Sequence, residues 1–303
     1  MTNVDQILAV SSLEEYIHSH LKQPLTLKQL ADYVNYSPWH TAKIFKNIMG
    51  KTPFEYIRML RLTQAALKLR DNNPKILDVA LDHFFSSHEG FTRAFAKEFG
   101  LTPKEYREKT PPINLFIPTK IYHRYLDILK GENKMKNCES NYEVKGVFVQ
   151  IIERPERKMI LKRGINATHY FEYCEEVDSE KVWGVLESIK EALYEPVGMW
   201  LPKQYRPEGT SVYAQGVEVP SNYSKAIPEG FDIIELPETK LMIFQGEPYD
   251  DDDFQSKVGA VMELIKNYNP ENYGYKWAPE NGPRVQLKPF GFRGYRSKTC
   301  KRN

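Results

Sequence analysis

Residues 45–56 read FKNIMGKTPFEY, and residues 95–106 read FAKEFGLTPKEY. The two stretches lie fifty residues apart and share six residues at equivalent places: Phe45/Phe95, Gly50/Gly100, Thr52/Thr102, Pro53/Pro103, Glu55/Glu105 and Tyr56/Tyr106. A unit this short cannot bury a core of its own. The two copies must therefore pack together in one domain.

Local rules predict two helices and a turn in each copy. In the first copy, Thr26 and Gln29 have the spacing of a capping box, and Ser37 begins a second helix that ends at Gly50. In the second copy, helices are predicted over residues 76–83 and 87–99. This pattern is typical of a helix-turn-helix, although a plain helical array without a ligand has the same pattern.

The second helix of each copy begins with polar or aromatic residues on its predicted exposed face. These candidates for DNA contact are Trp39, His40, Ala42 and Lys43 in the first copy, and His88, Glu89, Thr92 and Arg93 in the second. Side chains at this place in a helix-turn-helix reach base edges in the major groove. Arg93 and Lys43 suit O6 and N7 of guanine, and Glu89 suits the amino group of cytosine.

Residues 7–109 resemble the DNA-binding domain of the AraC/XylS regulators, and residues 86–107, SSHEGFTRAFAKEFGLTPKEYR, are similar to the family signature. The resemblance implies an all-α domain with two helix-turn-helix units joined by a long helix. Its two reading helices would enter double-stranded DNA about 34 Å apart. It also implies RNA polymerase as a partner, and it leaves open whether transcription is activated or repressed.

One position departs from the family pattern. Phe84 lies in the second turn, where the family commonly has glycine. A left-handed backbone at this phenylalanine would cost about 1–2 kcal/mol. We therefore expect either a remodelled turn or a phenylalanine held by packing.

Charge and composition limit the possible functions. Residues 1–140 carry 20 Lys and Arg against 15 Asp and Glu, whereas residues 141–303 carry 22 against 25. The basic first part suits phosphate, though the excess is small. No run approaches the ~20 apolar residues of a membrane span, so no membrane partner is predicted. Three scattered cysteines favour a reducing cytoplasm. Neither a metal site nor a cofactor motif is evident.

The second half of the chain carries another duplication. Residues 153–164 read ERPERKMILKRG and residues 235–246 read ELPETKLMIFQG. KVWGVLESIK at residues 181–190 similarly matches KVGAVMELIK at residues 257–266. Each copy is predicted as β-α-β-β, so the pair would form an α+β domain. The predicted organisation is a DNA-binding domain at 1–110, a linker at 111–142 and this domain at 143–303.

The second half resembles the gyrase-inhibitor-like effector-binding domain, through its repeat and phrases at residues 194–202 and 282–287. In that family the groove between the halves binds small, often lipophilic and sometimes cationic molecules, so we expect a lipophilic or aromatic effector. The ligand-binding candidates are Trp200, Tyr213, Glu218, Tyr273, Tyr275, Trp277 and Gln286. Alternatively, each aromatic ring among them belongs to the core. We expect Glu218 and Gln286 to occupy similar final-strand places, with Glu218 as the charge.

Together these patterns predict a transcriptional regulator that is not an enzyme. Two alternatives remain open. The C-terminal domain could hydrolyse its ligand through Glu218, which would need a raised pKa and a reachable water. The chain could instead sequester a small molecule without regulating any promoter.

Overall fold

The computed structural model describes residues 4–118, 147–246, 254–287 and 295–302 of the 303-residue chain. The chain divides into two compact units, residues 1–138 and 139–303. The first unit is helical, and the second combines helices with an antiparallel sheet. The predicted succession of an all-α part and an α+β part is confirmed at this level.

The described part of the first unit contains seven α-helices. They are Val4–Ser19 (α1), Leu27–Tyr33 (α2), Pro38–Met49 (α3), Pro53–Asn72 (α4), Ile76–Asp82 (α5), His88–Phe99 (α6) and Pro103–Lys109 (α7). The pairs α2–α3 and α5–α6 are the two predicted helix-turn-helix units. The long helix α4 connects them.

The residues shared by the two copies begin and end helices. Thr52 and Thr102 each form a capping box, in which the threonine N–H donates to the glutamate three residues later at 2.8 Å. Gly50 ends α3 with a φ of 71°, and Gly100 ends α6 with a φ of 78°. Glycine adopts this left-handed backbone without a steric penalty. The repeat therefore encodes helix boundaries.

Helix α4 contributes to both helical cores. Its first half buries Tyr56 and Ile57 beside α1 and α3, and its second half buries Leu62 and Leu69 beside α5 and α6. The Tyr56 hydroxyl donates to the buried Glu14 carboxylate at 3.0 Å. Since neither half of the helix could leave its core independently, α4 fixes the two helix-turn-helix units relative to each other.

Residues 111–118, which we expected to begin the linker, pack against the helical unit. Ile113 and Leu115 are buried in the second core. The Phe116 N–H donates to the Thr63 hydroxyl at 2.9 Å, and its ring meets Tyr56 edge-on. These eight residues are therefore part of the helical unit. The rest of the expected linker, residues 119–142, lies outside the described residues.

Phe84 adopts a left-handed backbone in the second turn. Its φ is 60°, close to the 56° of Asn35 at the equivalent place in the first turn. The two turns also share a hydrogen bond, because the N–H of Tyr36 and the N–H of Phe85 each donate to a carbonyl five residues earlier at 3.0 Å. The turn is thus not remodelled, and Phe84 bears the strain.

Arg61 of α4 packs against the strained residue. Its guanidinium carbon lies 4.6 Å from the centroid of the Phe84 ring. The same guanidinium donates to the carbonyl of Gln23 at 2.8 Å and to that of Leu21 at 3.3 Å. Arg61 therefore ties the second turn to the segment between α1 and α2. This is the packing that we expected to hold Phe84.

Replacing Phe84 by asparagine should give a more stable protein than replacing it by alanine. Both variants lose the contact with Arg61, but asparagine tolerates the left-handed backbone, which costs other residues about 1–2 kcal/mol. We expect urea unfolding to show Phe84→Asn to be more stable by about 1 kcal/mol. Equal midpoints for the two variants would show that the turn relaxes when the ring is lost.

The second unit is built on one antiparallel sheet. Its described strands are Phe148–Arg154 (β1), Arg157–Arg163 (β2), Val197–Trp200 (β3), Tyr213–Pro220 (β4), Asp232–Leu236 (β5), Thr239–Gln245 (β6), Tyr275–Trp277 (β7), Arg284–Leu287 (β8) and Tyr295–Arg302 (β9). They lie in the order β1-β6-β9-β8-β3-β4-β2-β5, with β7 paired to β9. The helices are Tyr170–Glu176 (α8), Ser179–Ser188 (α9) and Phe254–Asn267 (α10).

Successive side chains of a strand point to opposite faces of the sheet. On β4, Val217 and Val219 pack with Leu186 of α9, so this side is the helix-covered face. Ala214 packs with Met199 and other residues on the opposite face. Helix α10, like α9, packs against one face of the sheet, because its residues contact alternate side chains of β6.

Three of the described strands were not predicted. β1 precedes the predicted strand β2, β5 precedes the predicted strand β6, and β9 follows the last predicted strand. β1 pairs with β6, and β5 pairs with β2, so each of these two strands joins the other predicted copy. Each half therefore begins with two strands before its helices, rather than with the single strand of the predicted β-α-β-β unit.

Candidate functional site

The N-terminal turn of α3 presents two of the predicted DNA-contacting residues to solvent. Trp39 is 70% exposed, and the ammonium of Lys43 lies 4.8 Å from the centroid of the Trp39 ring. The other side of the helix is committed to the core through Ile44 and Phe45. An exposed indole next to a lysine gives α3 an apolar and a cationic group at the same point.

The other two candidates in this helix are less exposed. His40 is half-buried and meets the ring of Tyr36 edge-on at 4.9 Å. Its backbone N–H donates to the Ser37 hydroxyl at 3.3 Å, which is the predicted N-cap. Ala42 is half-buried on the same helix. The predicted set in the first copy therefore divides into two projecting and two flanking residues.

Helix α6 presents a second set. His88, Glu89 and Arg93 are exposed, while Phe91 and Phe95 are fully buried on the other side. A hydrogen bond from its own backbone N–H lowers the pKa of the Glu89 carboxyl, and the Ser87 hydroxyl and nearby positive charges lower it further. Glu89 is thus an acceptor at neutral pH.

Thr92 differs from its neighbours. It is half-buried, and its hydroxyl oxygen is buried with no hydrogen-bond partner. A buried oxygen does not reach a base edge, so the polar group of Thr92 does not contribute to the exposed set in this structure. Glu89 and Arg93 are therefore the polar candidates that α6 presents beside His88.

In the second unit, the predicted ligand-binding residues do not form one group. Trp200 and Tyr213 are paired in the β3–β4 register, and their rings meet edge-on at 5.2 Å on the helix-covered face. The Trp200 indole N–H donates to the carbonyl of Thr168 at 2.8 Å. Tyr213 is buried, so Trp200 is the half-buried member of the pair.

Glu218 lies on the opposite face of the sheet from Trp200 and Tyr213. Its carboxylate accepts from the buried guanidinium of Arg157 at 2.7 Å and lies 3.8 Å from Arg154. We expected Glu218 to supply the charge of the ligand pocket. That expectation is wrong for a site that includes Trp200, because strand alternation places the two side chains on different faces. The pairing with two arginines also disfavours Glu218 as a catalytic base.

The expected equivalence of Glu218 and Gln286 is also wrong. Gln286 lies on β8 and pairs with Gly198 of β3, whereas Glu218 lies on β4 and pairs with Met159 of β2. The two residues therefore have different neighbours in the sheet. Gln286 shares the helix-covered face with Trp200, because Gly198 and Trp200 are two residues apart on one strand.

The remaining candidates form a separate aromatic cluster. Tyr275 and Trp277 are half-buried and pack with Phe244 and α10. Tyr273 is 66% exposed and stacks on Tyr268, with ring centroids 5.9 Å apart. For Tyr275 and Trp277 the structure favours the core alternative.

Arg284 was not among the predicted site residues. It lies directly opposite Trp200 in the β3–β8 register, and its guanidinium carbon is 3.9 Å from the centroid of the indole. Arg284 lies two residues before Gln286, so alternation alone would have placed both side chains on one face. The pairing with Trp200, however, joins residues more than eighty positions apart.

Comparison with known proteins finds relatives of the helical unit. A family model described as a helix-turn-helix domain matches residues 30–109. Regulatory protein SoxS of Salmonella typhimurium is 37% identical over 100 residues, which are 33% of this chain and 94% of SoxS. Transcriptional regulator Rob of the same organism is 36% identical over 147 residues, which are 45% of this chain and 51% of Rob. The chain thus spans about half the length of Rob.

A solved structure of SAV2435 bound to tetraphenylphosphonium also shows similarity to this chain. It covers 51% of this chain and 94% of its own, with 16% identity and a TM-score of 0.36.

Across the described residues, no helix is long and apolar enough to cross a membrane. The same residues contain no group of three or more histidine, cysteine, aspartate or glutamate side chains placed to hold a metal ion.

The helical unit contains two helix-turn-helix pairs, with exposed polar residues at the start of α3 and α6. Its match to SoxS extends over nearly the whole of that regulator, 94%. The chain belongs to the AraC family of helix-turn-helix transcriptional regulators.

Proposed function

We propose that this chain regulates transcription in the cytoplasm by binding double-stranded DNA at an asymmetric site, acting as an activator with RNA polymerase as a partner. The observation that carries the proposal is the pair of exposed helix starts in one rigid helical unit. Trp39 and Lys43 project from α3, and Glu89 and Arg93 project from α6. Because these residues differ, the two helices would read different base sequences.

The two helices would use different chemistry. Lys43 and Arg93 would donate to guanine, and Glu89 would accept from the amino group of cytosine. Trp39 would contribute apolar contact, with His40, Ala42, His88 and Thr92 at the edges of the interface. Phosphate contacts from surrounding lysines would orient the protein without reading sequence.

For the second unit we propose a duplicated effector-binding domain at 143–303, joined to the DNA-binding helical unit by the rest of the expected linker, residues 119–142. The strand order supports the duplication. Read from its other end, β1-β6-β9-β8-β3-β4-β2-β5 gives the same order when β1 is exchanged with β5, β2 with β6, β3 with β8 and β4 with β9. β3 and β8 then meet at the centre, where Trp200 and Gln286 lie.

The effector would be small and lipophilic or aromatic, and it would bind at this centre. Trp200 would offer its half-buried ring, Tyr213 would support that ring, and Gln286 would supply a polar contact. Sites of this kind combine aromatic walls with a few placed polar groups. The effector would change DNA affinity only by binding two states of the protein unequally.

Replacing Arg93 by alanine should weaken and broaden DNA recognition. A base contact of this kind is worth about 1–3 kcal/mol, so the preference at one base pair should fall by roughly tenfold or more. The binding site would first be selected from a random duplex pool with the full chain. Gel shifts would then compare the selected site with single-base variants.

Lys104→Ala is the matched control, since it removes one exposed positive charge outside the reading helices. It should reduce binding to all duplexes by a similar small factor. Undiminished base preference in Arg93→Ala would overturn the role given to Arg93. Failure of the full chain to select any site would overturn the DNA-binding proposal and favour a sequestering protein.

A further inference from the structure

Arg284 and Trp200 form a stacked pair at the centre of the helix-covered face. They are cross-strand neighbours on β8 and β3, with the guanidinium carbon 3.9 Å from the indole centroid. The indole is fixed by its hydrogen bond to the Thr168 carbonyl and by the edge of the Tyr213 ring. The pair is thus held by its surroundings, and both members are only half-buried.

Arg284 has no counter-ion among the described residues. No ion pair involves it, and its Nε is buried without a hydrogen-bond partner. Burial lowers the pKa of the guanidinium, and no carboxylate of the described residues opposes that effect. Leaving a charged donor desolvated and unpaired is costly, so an anion at this place would be stabilised.

Two other arginines of this unit lie close to a carboxylate. Arg154 also stacks on a ring, that of Tyr194 at 3.2 Å, yet it lies 3.8 Å from the Glu218 carboxylate. Arg163 pairs with Asp232 at 2.8 Å. Among the described residues, Arg154 and Arg163 therefore have a carboxylate nearby, and Arg284 has none.

We propose that the effector site postulated above takes an aromatic carboxylate, whose anionic group pairs with Arg284 and whose ring packs beside Trp200. This proposal rests on the proposed effector-binding function and narrows its ligand to one charge class. A planar guanidinium can donate two parallel hydrogen bonds to a carboxylate from its two terminal nitrogens. A cationic ligand would meet a like charge at the centre of the site.

The test compares three ligands that differ mainly in charge. Calorimetric titration of the full chain would use 2-naphthoate, 2-naphthamide and 2-naphthylmethylamine as probes. We expect the carboxylate to bind about 10- to 100-fold more tightly than the neutral amide, which cannot form a charge-assisted pair. The amine should bind more weakly than the amide.

Variants assign the preference to Arg284. In Arg284→Gln the carboxylate should lose its advantage over the amide, and in Arg284→Glu the amine should become the preferred probe. Arg154→Gln is the matched control, because it removes a ring-stacked arginine that already has a carboxylate partner. It should leave the order of the three probes unchanged.

Several outcomes would overturn the proposal. Equal binding of the three probes, or preference for the amine, would show an effector site of another charge class. Binding of none of them would reject an aromatic carboxylate site. If Arg284→Gln kept the preference for the carboxylate, and its unfolding transition showed that the variant is folded, the anion would bind at another place. DNA selection by the full chain is independent of each result, so the proposed regulatory function would be judged separately.

Discussion

Replacing Glu218 by alanine should destabilise the C-terminal unit by about 3–5 kcal/mol, because it leaves a buried arginine without its counter-ion. Arg157 is 2% exposed, and Glu218 accepts from its Nε at 2.7 Å. The guanidinium retains bonds to the carbonyls of Pro155 and Pro237 at 3.2 and 3.0 Å. Those bonds position the charge but do not neutralise it.

The measurement is urea unfolding of the full chain followed by tryptophan fluorescence. Glu153→Ala is the matched control, since Glu153 pairs with Lys240 at the exposed surface of the same sheet, and exposed pairs contribute little. Its midpoint should match that of the unaltered protein. The double variant Glu218→Leu with Arg157→Met should recover most of the loss, because removing both charges leaves neither unpaired.

A small effect in Glu218→Ala would mean that Arg157 reaches water when its partner is lost. It would also reopen the hydrolytic alternative, since a dispensable ion pair would leave Glu218 available for another role. Turnover of any ligand by the full chain, lost in Glu218→Gln while the protein stays folded, would favour that alternative directly.

Acid should destabilise the helical unit through His83, which ends α5 in the second turn. Burial lowers the pKa of His83 from 6.5 to about 4, and the positive charges of Lys68 and Arg61 contribute. The unfolded chain therefore takes up a proton near pH 6.5, while the folded chain stays neutral until about pH 4. The stability is complete above pH 6.5 and falls between these values, by about 3 kcal/mol in total.

Hydrogen exchange of amides in α5 and α6, corrected for the intrinsic rate at each pH, would measure this loss. His83→Gln should remove most of it between pH 6.5 and pH 4. His88→Gln, which replaces an exposed histidine five residues later, should leave it unchanged. If His83→Gln retained the full pH dependence, the carboxylates of the helical unit would be its cause.

The helical unit could be predicted because its signals are local. Thr52 with Glu55 specifies a helix start within four residues, and Gly50 specifies an end through its own backbone. The positive φ of Phe84 was also foreseeable from its place in the repeat. The role of Arg61 was not, because it depends on three contacts that join segments far apart in the sequence.

The second unit was harder to predict because sheet neighbours are not sequence neighbours. The repeat gave β2 and β6, but β1 and β5 each pair with the opposite half. Glu218 and Gln286 were matched by the residues around them, whereas the strand pairing separates them. Only the register shows that Arg284, rather than Glu218, is the charge beside Trp200.

Helix α4 has a consequence for how this regulator can change its target. The helix has 20 residues and therefore extends about 30 Å, comparable with the roughly 34 Å of one DNA turn. One inserted residue would turn one helix-turn-helix unit by about 100° against the other, so the two reading helices would no longer face the same side of a duplex. Evolution can therefore exchange the residues at the tips of α3 and α6 freely, and so alter which bases are read. The separation of the two half-sites can change only in large steps, which makes spacing the most conservative property of its binding site.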